Sequence, residues 1–94
     1  MDEEDTRAQE GRPLRIRWEN ETQGRYYETY LAPDIFGGWT LTRVWGRRGS
    51  PMGGLRNDHC ESYGAAMAGL AALAARRKRN LYRIVSGGLP AAKP

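Results

Sequence analysis

Apolar and charged residues alternate along Leu14-Arg15-Ile16-Arg17-Trp18, the period-two signature of a half-buried strand. Glu19 to Gly24 is polar and ends in a glycine, which predicts a loop. Arg25 to Leu31 is rich in aromatic and β-branched residues and predicts a second strand. Pro33-Asp34 to Gly37-Gly38 breaks it, with Ile35-Phe36 expected as an apolar plug inside the turn. Trp39 to Trp45 is the clearest strand pattern, and the short glycine-bearing connection pairs it antiparallel with its predecessor. Gly46 to Gly54 holds four glycines and reads as a turn-dense segment; Leu55 to Cys60 follows as a short fourth strand.

From Tyr63 the period changes. Apolar residues recur at Tyr63, Ala66, Met67, Leu70, Leu73 and Ala74, one face of a helix. Ser62 supplies the N-cap, Arg76-Arg77-Lys78-Arg79 closes the helix, and Asn80 caps its C-terminus. Seven alanines between positions 65 and 75 raise helix propensity and leave a slim side that can lie close to a sheet. Leu81 to Val85 alternates again and returns to the sheet. The pattern predicts the α+β class: an antiparallel β-sheet meander, one C-terminal α-helix over about 62–79 packed on one face, and a short closing strand. Residues 1–13 read as a disordered acidic leader, 14–85 as the domain, and 86–94 as a flexible tail.

Composition narrows the functional classes. The 94 residues allow one domain, whose folding buries only about 60–65% of the unfolded surface, so a deep substrate cavity is not expected. The chain has no apolar run long enough to span a membrane as a helix, and its Met1-Asp2-Glu3-Glu4-Asp5 start is unlike a secretory signal. A single cysteine, Cys60, cannot form an internal disulfide, which fits a reducing cytoplasm. His59 and Cys60 are adjacent and lack further Cys or His partners, so no metal or other cofactor is expected.

Charge changes the picture most. Residues 1–10 carry five acids against Arg7, a net of −4, while residues 11–94 carry fourteen basic residues against six acids, a net of +8. The folded part is thus strongly basic, which favours polyanionic partners. Thirteen of the fifteen basic residues are arginine, whose guanidinium binds phosphate bidentately and stacks on planar groups.

Catalysis finds no support: there is one histidine, the acids of residues 14–85 are scattered, and Gly46 to Gly54 lacks the Gly-Lys-Ser/Thr ending of a phosphate-binding loop. The residues that stand out are Arg43, Trp45, Gly46, Arg47 and Arg48. On one strand, Trp39, Leu41, Arg43, Trp45 and Arg47 share a face. An indole flanked by guanidinium groups offers a flat surface to a sugar or base while neighbouring phosphates are neutralised. Gly46 is expected to let the backbone turn and to let phosphate approach the main chain. The opposing reading is that Trp45 belongs to the core, as expected of Trp18 and Trp39. Arg56 is a weaker candidate of the same kind. Arg76 and Arg77 either add attraction for nucleic acid or only complement the helix dipole.

Trp45-Gly46-Arg47 followed by Gly49, preceded by Arg25-Tyr26-Tyr27 and Phe36-Gly37-Gly38-Trp39, resembles the WGR domain, named for this tripeptide. The similarity extends through the helix and its basic end to Tyr82. Such domains occur in poly(ADP-ribose) polymerases and as stand-alone bacterial proteins, and Phe36-Gly37-Gly38-Trp39 is similar to the latter branch. The resemblance implies a curved antiparallel sheet with a helix on one face. It also implies a site for broken DNA in which Trp45 stacks on the terminal sugar and Arg47 contacts the nucleic acid. Arg48 departs from the pattern, because that position is usually aliphatic; turned outward, it adds a third cation beside Trp45. The combined expectation is a non-enzymatic, monomeric, cytoplasmic module for nucleic acid, DNA more than RNA, that recognises ends or nicks. The alternative is a protein-interaction adaptor using the same Trp-Arg surface.

Overall fold

The computed structural model of the chain describes residues 12–90. Most of the expected acidic leader and residues 91–94 of the expected tail lie outside them. The elements are β1 (Leu14–Asn20), β2 (Arg25–Pro33), β3 (Trp39–Arg47), β4 (Gly53–Cys60), α1 (Tyr63–Arg79) and β5 (Arg83–Ser86). The α+β class and the element order are those the sequence predicts. The strands form one antiparallel sheet in the order β4-β3-β2-β1-β5.

That order explains the helix. The first four strands are a meander joined by tight turns, so β4 ends at one edge of the sheet. The chain must then cross a face to reach β5 at the other edge, and α1 is that crossing. Registers Trp18↔Tyr27, Tyr27↔Trp45 and Leu31↔Leu41 put Trp18, Tyr27, Leu31, Leu41 and Trp45 on one face, since directly paired residues share a side. α1 lays Ala66 and Leu70 against that face, and Ile16, Trp18, Tyr27, Leu31, Trp39, Leu41, Ala66 and Leu70 form the buried core. Trp18 and Trp39 are core residues as expected. Met67, Leu73 and Ala74 pack around it.

The helix caps follow from local chemistry. The Ser62 hydroxyl accepts from the Ala65 amide at 3.0 Å. At the other end the Leu81 amide donates to the Lys78 carbonyl and the Tyr82 amide to the Arg77 carbonyl, at 3.1 and 2.9 Å. This is a Schellman closure beyond the Asn80 cap. It places Leu81 at φ 67, a left-handed conformation. Residues 81 and 82 are therefore spent on ending the helix, and β5 starts at Arg83 rather than at Leu81.

The buried Asn20 ties this corner down. Its Nδ2 donates to the Asn80 carbonyl at 3.1 Å and its Oδ1 accepts from the Gln23 amide at 2.9 Å. One side chain thus joins the β1–β2 turn to the C-terminus of α1.

The structure corrects the turn between β2 and β3. Ile35 and Phe36 are not a plug; they are 91% and 85% exposed. Asp34 builds the turn instead, its Oδ1 accepting from the Phe36 and Gly38 amides at 2.8 and 2.9 Å. The Asp34 amide also donates to the Gly38 carbonyl at 2.9 Å. A turn closed by its own backbone and one carboxylate leaves the tip residues pointing away from the core. Among the described residues no helix is long and apolar enough to cross a membrane.

Candidate nucleic-acid interface

α1 does not cover the whole sheet face. Beyond its C-terminus, at the Tyr27 and Trp45 ends of β2 and β3, lies an open groove of about 560 Å³. Five arginines line it: Arg25 from β2, Arg43 and Arg47 from β3, Arg56 from β4 and Arg77 from α1. Tyr27, Trp45 and Tyr82 supply its aromatic surface, and Tyr26, Gly46, Met52 and Gly53 complete it. Among the described residues, no carboxylate lines the groove.

Strand alternation brings Arg43, Trp45 and Arg47 to this face, as the sequence predicts. Trp45 is 39% exposed and is not a core residue. Two contacts set its plane. The Tyr27 ring stacks on it, with centroids 6.1 Å apart and planes at 16°. Gly54, its cross-strand partner, lies against the indole. A Cβ on Gly54 would fall 2.3 Å from the indole Cζ2, so only glycine leaves the ring this position. Tyr27 in turn meets Trp18 edge-on at 6.2 Å. The exposed indole is thereby continuous with the buried core, which fixes it at little further entropic cost.

Arg77 covers the next position. Its guanidinium lies 4.4 Å from the Tyr27 ring centre and 5.1 Å from that of Tyr82. Trp45, Tyr27, Arg77 and Tyr82 therefore form a continuous series of planar groups. Arg77 Nε is buried without a hydrogen-bond partner, and so is Arg43 Nε. Among the described residues, Arg25, Arg47 and Arg77 form no ion pair, while Arg43 and Arg56 share Asp58 at 2.6 and 3.0 Å. Burial alone pushes the Asp58 carboxyl up, but the bonds from Arg43 and Arg56 outweigh it and hold Asp58 below the usual carboxylate range.

Three expected site residues sit otherwise than the sequence suggests, although Gly46 still lines the groove. Gly46 does not turn the chain: it lies within β3, paired with Tyr26 and Gly53. A Cβ there would sit 3.1 Å from the Tyr26 hydroxyl and 3.0 Å from the Met52 carbonyl, so the glycine admits a tyrosine ring and a neighbouring strand. The turn falls later, with Gly49 at φ 78. Arg48 does not join Trp45. Its guanidinium pairs with Glu19 at 3.3 Å, and Glu19 stands on the sheet face opposite the helix. Arg76 is exposed and outside the groove, because consecutive helix residues point about 100° apart and only Arg77 faces the sheet.

No motif marks Arg25, Tyr27, Gly54 or Tyr82 as site residues. Tyr27 and Arg25 were within reach of strand counting, since a hairpin closing at Pro33↔Trp39 sets Tyr27 opposite Trp45 and Arg25 opposite Arg47. Tyr82 comes from a helix end whose placement depends on tertiary packing. Among the described residues, no group of three or more His, Cys, Asp or Glu is placed to hold a metal ion. His59 instead bonds Asp34 at 3.0 Å, at the far end of the sheet.

Fold and groove define a small antiparallel-sheet domain with one crossing helix and an arginine-lined aromatic cleft at the helix C-terminus. A family model described as the WGR domain matches residues 14–88, and the chain belongs to that family. Comparison with curated proteins and with solved structures gives no match.

Proposed function

We propose that this WGR domain is a nucleic-acid-binding module whose ligand occupies the groove. Trp45 stacks on an exposed sugar or base, as found at a DNA end or nick. Arg25, Arg43, Arg47, Arg56 and Arg77 hold the adjoining phosphates. The observation that carries this reading is the exposed indole, stacked on Tyr27 and set against Gly54, in a groove lined by five arginines and, among the described residues, no carboxylate. Arg25, Arg47 and Arg77, which form no ion pair among the described residues, keep their donors for a ligand, and a fixed aromatic face is ready to stack. Duplex interiors offer no free stacking face, so the arrangement favours ends and nicks over continuous duplex. In this reading the chain binds rather than catalyses, and it acts as a monomer.

The test is titration of the chain with a 5′-phosphorylated DNA duplex, followed by tryptophan fluorescence at several salt concentrations. Trp18 and Trp39 are buried, so a change on binding reports Trp45. Neutralising about three phosphates gives a slope of log affinity against log salt near −2.7. Trp45→Ala is expected to weaken binding by about 1–3 kcal/mol while leaving the fold intact. Equal binding by the variant sinks the stacking role. No binding to any nucleic acid turns the same Trp-Arg surface over to a protein partner.

A further inference from the structure

Among the described residues, Asp58 is the one carboxylate in contact with the groove's arginines. Arg43 on β3 and Arg56 on β4 are directly paired across the strands and point to the same face. Like charges in that relation repel and would splay apart. Asp58 lies two residues beyond Arg56 on the same face of β4 and reaches both. Its Oδ2 accepts from Arg43 Nη2 at 2.6 Å and its Oδ1 accepts from Arg56 Nε at 3.0 Å. Each carboxylate oxygen thus takes one guanidinium. Both arginines line the groove, whereas Asp58 does not. The two differ in exposure: the Arg43 side chain is 26% exposed, the Arg56 side chain 65%.

We propose that Asp58 is a positioning residue for the nucleic-acid site, holding Arg43 and Arg56 side by side so that both present their remaining N–H groups to the ligand. The inference rests on the nucleic-acid reading above. Arg56 is engaged through Nε alone, which leaves its two terminal nitrogens for a phosphate. The idea reverses the sign expected from charge. Removing an anion beside a polyanion site should tighten binding if electrostatic attraction alone decides. A positioning role requires that removal weaken it.

The experiment compares Asp58→Asn, Asp58→Glu and Arg56→Lys in the full chain, titrated with the 5′-phosphorylated duplex over a range of salt. Chemical denaturation confirms that each variant is folded. Asp58→Asn is expected to weaken binding about tenfold. Its salt slope should be shallower by about 0.9, the loss of one phosphate contact. Asp58→Glu is expected to restore most of the affinity. Arg56→Lys keeps the charge but removes the Nε–H that Asp58 holds, and it too should weaken binding. Equal or tighter binding by Asp58→Asn overturns the proposal, as does wild-type affinity in Arg56→Lys. Absence of binding by the unsubstituted chain overturns the nucleic-acid reading, and this inference with it.

Discussion

The two faces of the sheet carry arginines in opposite states. On the face away from α1, Arg15 and Arg17 both bond Glu28, at 3.3 and 2.5 Å, Arg17 also bonds Glu19 at 2.9 Å, and Arg48 bonds Glu19. The Tyr30 hydroxyl donates to Glu28 as well, and Arg17 lies 4.5 Å from the Tyr26 ring centre. Every cation there has a carboxylate, and Glu28 is nearly fully buried among its donors. Of the five arginines lining the groove, two share one acid and three have none among the described residues. The same residue type therefore does two jobs. Where acids alternate with it on neighbouring strands, arginine closes a surface; where aromatic residues and glycines do, it leaves a surface open to an anion.

Substitutions at the groove should change binding, and those on the opposite face should change stability. The largest expected effect is Gly54→Ala. The added Cβ meets the indole at a distance no packing tolerates, so Trp45 must leave its place on Tyr27. Affinity for duplex ends should fall about 100-fold, close to the upper range for losing a stacked base. Titration of the folded variant checks this. Retained affinity would show that the indole's seat is irrelevant to binding.

Next comes Glu28→Gln. It strips Arg15 and Arg17 of their shared carboxylate; because both arginines reach solvent, the expected cost is about 2 kcal/mol, below that of a fully buried pair. Denaturant unfolding measures it, with duplex affinity unchanged. The pH dependence follows from the same contacts. Burial alone raises the Glu28 pKa, but the bonds from Tyr30, Arg17 and Arg15 outweigh it and leave the group below its ordinary value. A depressed folded pKa means stability that is full above the unfolded value of about 4.3 and is lost as pH falls through the folded one. The gap between wild type and Glu28→Gln should therefore narrow below about pH 4.

Arg47→Ala, at a groove cation with no ion pair among the described residues, should lower affinity by about tenfold and flatten the salt slope by about 0.9, with stability within about 0.5 kcal/mol of wild type. The smallest effect belongs to Arg48→Ala. Although adjacent in sequence, it serves the other face. Its loss should alter stability by under about 0.5 kcal/mol, and affinity by no more than the screened loss of a distant charge. If Arg47 and Arg48 prove interchangeable in binding, the division between the faces is wrong.

Most of the fold is legible in the chain because it rests on local periodicity. Leu14–Trp18, Trp39–Trp45 and the face from Tyr63 to Ala74 each bury one side, and the observed elements cover these spans. Ser62 and Asn80 cap the helix through short-range bonds that sequence neighbours suffice to make. The two departures from the sequence pattern have a common origin. Ile35-Phe36 is apolar but sits on a turn closed by Asp34, and hydrophobicity alone does not say that the core is out of reach. The glycines after Gly46 predict a turn there, yet β3 continues through it, where a Cβ would crowd Tyr26.

The sequence by itself determined the α+β class, the order of elements, the core tryptophans and the shared face of Arg43, Trp45 and Arg47, since alternation along one strand needs no knowledge of any other. The tertiary structure alone decided which arginines remain free. Arg47 and Arg48 are equal in the sequence, but Arg47 ends β3 and Arg48 opens the turn after it, and the two face different neighbours. One meets Glu19 across the sheet, and the other lies beside an indole seated on Gly54 and a helix end bearing Arg77. Pairing is a property of distance in space, and only the folded chain sets it.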